Sequence, residues 1–344
     1  MSKIYQTFYC DFGFIQKVVS KDQLFNHLDE FLRYLILDDK KHIKLVFNIP
    51  DNQKKHILEK KLEDYTPFEN LIYTLLPNST YEYIEDITNL TKFISDHNYN
   101  VIVFCNKNND DINILRSYGI IAINSSMLML TPEILDDLMT ENGRYLEKTK
   151  TLSWEEILPQ NANQCNSVII IDQYILQNED KLKHNINDIL GTIIPKKLEI
   201  EFHIAIFCNF EANNKNYNIE KRFNDILKHL NDKNVPNTKN ISITIYDSKN
   251  KFHDRYIITN NHFIESGAGF VIFNNSKKLG NSTIIRSCYP FLISSEFQNI
   301  AYRHILTELT QIKQNCTNFD IKEKKQYEFF GNKSGKAPHR LIDN

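Results

Sequence analysis

The chain has 344 residues, enough at roughly 150 residues per domain for two domains with a buried core. Glycine and proline number 9 each, and with 41% apolar and 24% charged residues this composition excludes collagen, coiled-coil, disulfide-miniprotein and disordered classes. Lys+Arg is 41 against Asp+Glu 43, a net charge of −2, so no global field marks a nucleic-acid or membrane-surface protein, and an anionic ligand has to be met by a local cluster.

Strand-like and helix-like patterns alternate along residues 1–150, which read as an N-terminal α/β domain. Ser20 reads as the N-cap of a helix over SKDQLFNHLDEFLRYLIL, where Leu24, Leu28, Phe31, Leu32 and Leu35 recur at helical spacing. HIKLVFNIP reads as a strand closed by Pro50. TNLTKFISDH follows as a helix, NVIVFC as a buried strand, NDDINILRSYG as a helix stopped at Gly119, and IIAINSS as another strand. TPEILDDLMTENGRYLEK is expected to close the unit as a helix, with Thr131 as cap and Pro132 at the first helical position. Buried strands alternating with amphipathic helices predict a parallel sheet covered on both faces.

The polar stretch TKTLSWEEILPQNANQCN, with Trp154 and Pro159, is the expected boundary. The second domain, 160–320, opens on SVIIIDQYIL, too apolar for anything but a central strand. Helix EDKLKHNINDILGTII, strand LEIEFHIAIFC, helix NIEKRFNDILKHLND and strand NISITIYD follow, a second β-α-β-α-β series. KFHDRYIITNNHFIESGAGFVIFN then reads as two strands joined through a turn at Asn260 and Asn261, and SSEFQNIAYRHILTELTQI as a long helix. Residues 321–344 carry six Lys/Arg against three Asp/Glu and are expected to form a solvated basic tail. No repeat of solenoid period is present.

Cys10, Cys105, Cys165, Cys208, Cys288 and Cys316 are scattered, with no CxxC pair and no His at ligand spacing, so they read as small buried hydrophobes rather than zinc ligands or a disulfide framework. No metal or other cofactor is expected. The first residues lack a basic start followed by an apolar run, and no stretch approaches a membrane span, so the expectation is a cytoplasmic protein without a transmembrane segment. GxGxxG and GxxxxGK[ST] are both absent, which removes support for Rossmann or P-loop nucleotide binding.

The cluster that carries chemistry is KFHDRYIITN: His253, Arg255 and Asn260 at spacing H-x-R-x4-N, followed by Gly267, Ala268 and Gly269. On a strand His253 and Arg255 share a face. An imidazole beside a guanidinium makes a site for a tetrahedral oxyanion, with Arg supplying forked donors and His a nucleophilic or proton-transferring nitrogen. Asn260 adds a neutral donor, and the glycines let the facing backbone approach a ligand closely. Asp172 and Tyr174 end the first strand of this domain at its carboxyl edge, where Asp172 either orients a ligand or His253 or caps the following turn.

This run, preceded by β-α-β-α-β and followed by a long helix, resembles the phospholipase D superfamily, whose signature is H-x-K-x4-D-x6-G-S/G-x-N. HDRYI, SGAGF and IIIDQYI look most like the phospholipase D-like domain at the C-terminus of MIT-domain proteins and in bacterial relatives. The resemblance covers roughly residues 165–312 and implies a mixed sheet flanked by helices. It further implies attack on a phosphodiester by the motif histidine, a phosphohistidine intermediate and a second histidine as general acid, without metal. The sequence departs from the signature in placing Arg255 for lysine, Asn260 for aspartate, Ala268 for Ser or Gly, and Phe270 for the closing asparagine, with Asn274 the nearby substitute for that last donor.

One further H-x-K, His42-x-Lys44, lacks the downstream glycines and reads as a half-exposed strand. A single motif implies a homodimer that pairs two copies of His253. The expected partner is nucleic acid or another phosphodiester, acted on by a phosphodiesterase or nuclease; the alternative is a non-catalytic phosphate-binding module, on nucleic acid, lipid headgroup or protein. A scaffold role for both domains is a third reading. In the N-terminal unit, Asp11, Asp110 and Asp111 faintly resemble the strand-end carboxylates with which PIN-type ribonucleases hold a divalent metal, while helix capping accounts for Asp110 and Asp111 without one.

Overall fold

The computed structural model describes residues 6–37, 43–148, 152–177, 182–209, 219–232, 241–247, 252, 254–290, 296–315, 317–318, 327–330 and 339–343. The chain is an α/β protein of two units, Met1–Thr140 and Glu141–Asn344.

The first unit is built on β1 (Gln6–Asp11), β2 (Ile43–Asn48), β3 (Thr80–Tyr81), β4 (Val101–Cys105) and β5 (Ile121–Asn124), all parallel, in the order β3-β2-β1-β4-β5. Its helices are α1 (Phe12–Val18), α2 (Asp22–Leu37), α3 (Asp51–Glu59), α4 (Pro67–Leu75), α5 (Ile87–Asp96), α6 (Asn109–Arg116), α7 (Ser125–Leu130) and α8 (Glu133–Met139). Every residue of β4 is buried, as two covered faces require. Neighbouring residues of β1 serve opposite faces: Phe8 meets Phe31 of α2, and Tyr9 meets Phe93 of α5.

Two expectations fail here. The Ser20 hydroxyl donates to the Lys17 carbonyl, and α2 begins at Asp22. The segment expected as one closing helix splits after Met139, because Asn142 and Gly143 are poor helix formers and the next residues pair with a strand far along the chain. That piece is β6 (Asn142–Leu146), whose Leu146 enters the second core, so the units divide at 140/141 rather than in the polar stretch beyond 150.

The second unit continues with α9 (Trp154–Ile157), β7 (Ser167–Ile171), α10 (Ile186–Ile193), β8 (Phe202–Cys208), α11 (Ile219–Asp232), β9 (Ile241–Asp247), β10 (Arg255–Thr259), β11 (Phe263–Ser266), β12 (Thr283–Cys288), α12 (Glu296–Asn315), β13 (Thr317–Asn318) and β14 (Tyr327–Phe330). The strands form one mixed sheet in the order β13-β14-β9-β8-β7-β10-β11-β12-β6. β7, β8 and β9 run parallel, and β10 turns antiparallel against β7. One face packs on Ile189, Leu190 and Ile193 of α10 and on Phe223 and Ile226 of α11; on the other, the Phe263 ring meets Tyr302 of α12 at 5.8 Å.

The last described residues are not a solvated tail. Leu341 and Ile342 are buried, the Arg340 guanidinium donates to the carbonyls of Asn166 and Glu201, and the nearly buried Lys313 ammonium pairs with Asp343. Among the described residues no helix is long and apolar enough to cross a membrane.

Candidate phosphate site at the carboxyl end of β7

Pairing of β10 with both β7 and β11 decides what meets at this edge. Tyr256 lies opposite Ile171, the last residue of β7, and Arg255 lies opposite Ser266, the last residue of β11. Arg255 therefore stands one residue past the end of β7, beside Asp172 and the turn of Gly267, Ala268 and Gly269.

Asp172 is 1% exposed and joins two segments. Its Oδ1 accepts from the Tyr174 amide at 2.8 Å and its Oδ2 from the Phe270 amide at 2.7 Å. Burial raises its pKa, against the pull of those two amides and of the Arg255 charge. The same contact explains Gly269: its φ is +84°, and a Cβ there would lie 2.8 Å from Asp172 Oδ2. Gly267 differs, since a Cβ there would meet nothing within 4 Å, so the turn is open at that point.

The half-buried Arg255 donates from Nη1 to the Gly267 carbonyl at 3.2 Å, and its guanidinium carbon lies 5.9 Å from the centroid of the Tyr174 ring. Its Nε is buried and has no hydrogen-bond partner among the described residues. The amides of the turn are already committed: Gly267 to the Ile284 carbonyl, Ala268 to Thr283 Oγ1, Gly269 to the Ser266 carbonyl and Phe270 to Asp172. Among the described residues at this edge, the charged donor is the Arg255 side chain.

Arg255, Asp172, Gly267 and Gly269 are brought together, whereas Asn260 is not. Asn260 sits at the other end of β10, about 16 Å away at the rise of a strand, and its Oδ1 accepts from the Asn166 amide and from the Ser167 amide and hydroxyl. The expectation that it joins Arg255 on the ligand is corrected: it anchors the start of β7. Asn274 turns its Oδ1 to the amides of Ser276 and Lys278, closing its own loop, and lines a cavity of about 100 Å³ with Ala268 and Asn281. Phe270, where the signature has asparagine, is core, packed against Trp154. His253 lies outside the described residues. The clamps on the turn from Thr283 and Ser266 were not foreseen; β12 carries no local signal that ties it to this turn.

In the first unit, Asp11 caps α1 through the Gly13 amide at 2.9 Å and accepts from the Asn106 amide at 3.3 Å. Asn108 caps α6, leaving Asp110 and Asp111 in its first turn. Among the described residues, no group of three His, Cys, Asp or Glu is placed to hold a metal ion. His42 is outside the described residues, and Lys44 Nζ lies 3.2 Å from His97 Nε2.

No protein-family model matches the chain, and no curated protein does. Among solved structures, the chain is similar to phosphatidylserine synthase of Haemophilus influenzae Rd KW20, with 10% identity over 90% of this chain and 82% of that one, at a TM-score of 0.32.

Proposed function

We propose that the second unit is a phospholipase D-like module that recognises a phosphodiester through Arg255. The supporting observation is a half-buried forked cation held beside the open side of a glycine turn whose own amides are already bonded. A phosphodiester offers two anionic oxygens that a guanidinium fork meets with two donors.

On the catalytic form of this reading, a ring nitrogen of His253 attacks phosphorus while the bond to the leaving oxygen breaks. The leaving oxygen takes a proton from the imidazolium of His253 in a second copy. Water then attacks phosphorus, its proton passing to the now neutral imidazole of the second copy, and the N–P bond breaks to return His253 as imidazole, a cycle written without a metal. Two observations favour a binding-only form: the amides of the turn are committed, and Asn260 is spent on the start of β7.

The test is a 3′-fluorophore oligonucleotide incubated with the full chain in EDTA. Cleavage by wild type but not by His253→Ala supports catalysis. Binding that Arg255→Ala abolishes, without turnover, selects the recognition module. Cleavage that EDTA removes contradicts the metal-free form, and affinity unaffected by Arg255→Ala contradicts the proposal as a whole.

A further inference from the structure

Resting on that reading of Arg255, we infer that the phosphodiester belongs to single-stranded nucleic acid and that Tyr174 stacks an unpaired base beside the phosphate. Tyr174 follows Asp172 at the end of β7 and is fixed there by its own backbone, the amide bonded to Asp172 Oδ1. Tyr174 is 39% exposed, although it follows a strand whose five residues are all buried.

The guanidinium lies over the Tyr174 ring, 5.9 Å from its centroid, so a cation and an aromatic side chain stand within the span of one nucleotide, whose phosphate meets the first and whose base meets the second. A base within a duplex has both faces covered by its neighbours, so only an unstacked base reaches such a ring.

A lipid headgroup fits this edge less well. An anionic bilayer is held by several cations together, whereas here one guanidinium, near enough to Asp172 for its charge to be felt there, stands in a chain of net charge −2. A bare phosphate uses the guanidinium and leaves the apolar surface of the ring unused, whereas a base stacks on it.

Fluorescence anisotropy in EDTA tests this with three probes: an oligothymidylate of about twelve nucleotides, an abasic strand of equal length and charge, and phosphatidylcholine vesicles containing phosphatidylglycerol. Wild type is expected to bind the thymidylate roughly ten-fold more tightly than the abasic strand, as one stacked base contributes. Tyr174→Ala removes the preference and Tyr174→Phe keeps it, while Arg255→Ala weakens both strands. Equal affinity of wild type for the two strands overturns the inference without needing a variant to fold. So does a preference that survives in Tyr174→Ala. If Arg255→Ala weakens both strands and no base preference exists, phosphodiester recognition stands and stacking fails. Vesicle binding that depends on Arg255, without strand binding, also overturns it and names the lipid. Binding of no probe overturns both readings.

Discussion

Two glycines in one turn make opposite predictions. Gly269→Ala places a methyl group 2.8 Å from a carboxylate oxygen that is itself pinned by two backbone amides, and does so at φ +84°. The left-handed backbone costs an alanine about 1–2 kcal/mol. Pushing the carboxylate aside weakens its bond to the Phe270 amide, about 1–3 kcal/mol for a buried charged acceptor. The loss of unfolded-chain entropy returns roughly 0.5–1 kcal/mol. A net destabilisation of about 1–4 kcal/mol is expected from these terms. Gly267→Ala, with no neighbour within 4 Å of its Cβ and no positive φ, keeps that entropic gain unopposed and is expected to leave stability unchanged or raise it by up to about 1 kcal/mol. Urea denaturation followed by Trp154 fluorescence reads both, because the only tryptophan lies in the same unit, with its ring 6.3 Å from that of Phe270. Equal effects of the two substitutions would refute the assignment of Gly269 to the Asp172 contact.

Other outcomes follow from the same geometry. Asn260→Ala leaves the amides of Asn166 and Ser167 without their acceptor and is expected to cost about 2–4 kcal/mol in urea, while oligonucleotide affinity at the folded baseline stays that of wild type; a selective loss of affinity would return Asn260 to the ligand. Asp343→Ala removes the carboxylate paired with the Lys313 ammonium, which is 8% exposed, and is expected to lower stability by about 1–3 kcal/mol, discounted because the carboxylate is 36% exposed. An unchanged urea midpoint would show that the C-terminal clasp carries no load.

Burial pushes the rings of His262 and His339 down to about 3. Both values lie below the unfolded value near 6.5, so the native state binds fewer protons in that window. Stability is therefore complete above about pH 6.5 and falls as pH drops toward 3, by up to about 1.4 kcal/mol per pH unit for each ring. Asp172, raised by burial, has the opposite sign and favours the native state at low pH. His262→Phe, which keeps a ring on Tyr289, is expected to flatten the slope of urea midpoint against pH between 6 and 4 by about one ring's share; an unaltered slope would contradict it.

Much of the architecture is written in local pattern. The period-two run RYIIT and the pair Asn260 and Asn261 mark the β10–β11 hairpin, and VIVFC and SVIII mark strands buried on both faces. β6 escaped because its residues follow a helical run, and its pairing with Ile284 and Arg286 lies far along the chain. The need for glycine at 269 is visible locally, but its cause is a carboxylate nearly a hundred residues earlier. The misplacement of Asn260 has a simpler origin. Arg255 and Asn260, close together in the motif, are five strand rises apart, and a straight β10 carries them to its opposite ends.

The central claim is that Arg255 meets an anionic phosphodiester at the end of β7. Its most direct test compares the affinities of wild type, Arg255→Lys and Arg255→Ala for an oligonucleotide and for its uncharged methylphosphonate analogue. The account predicts that wild type prefers the charged strand by roughly ten-fold or more, that lysine keeps part of this preference, and that alanine abolishes it. A preference of the same size in Arg255→Ala would contradict it.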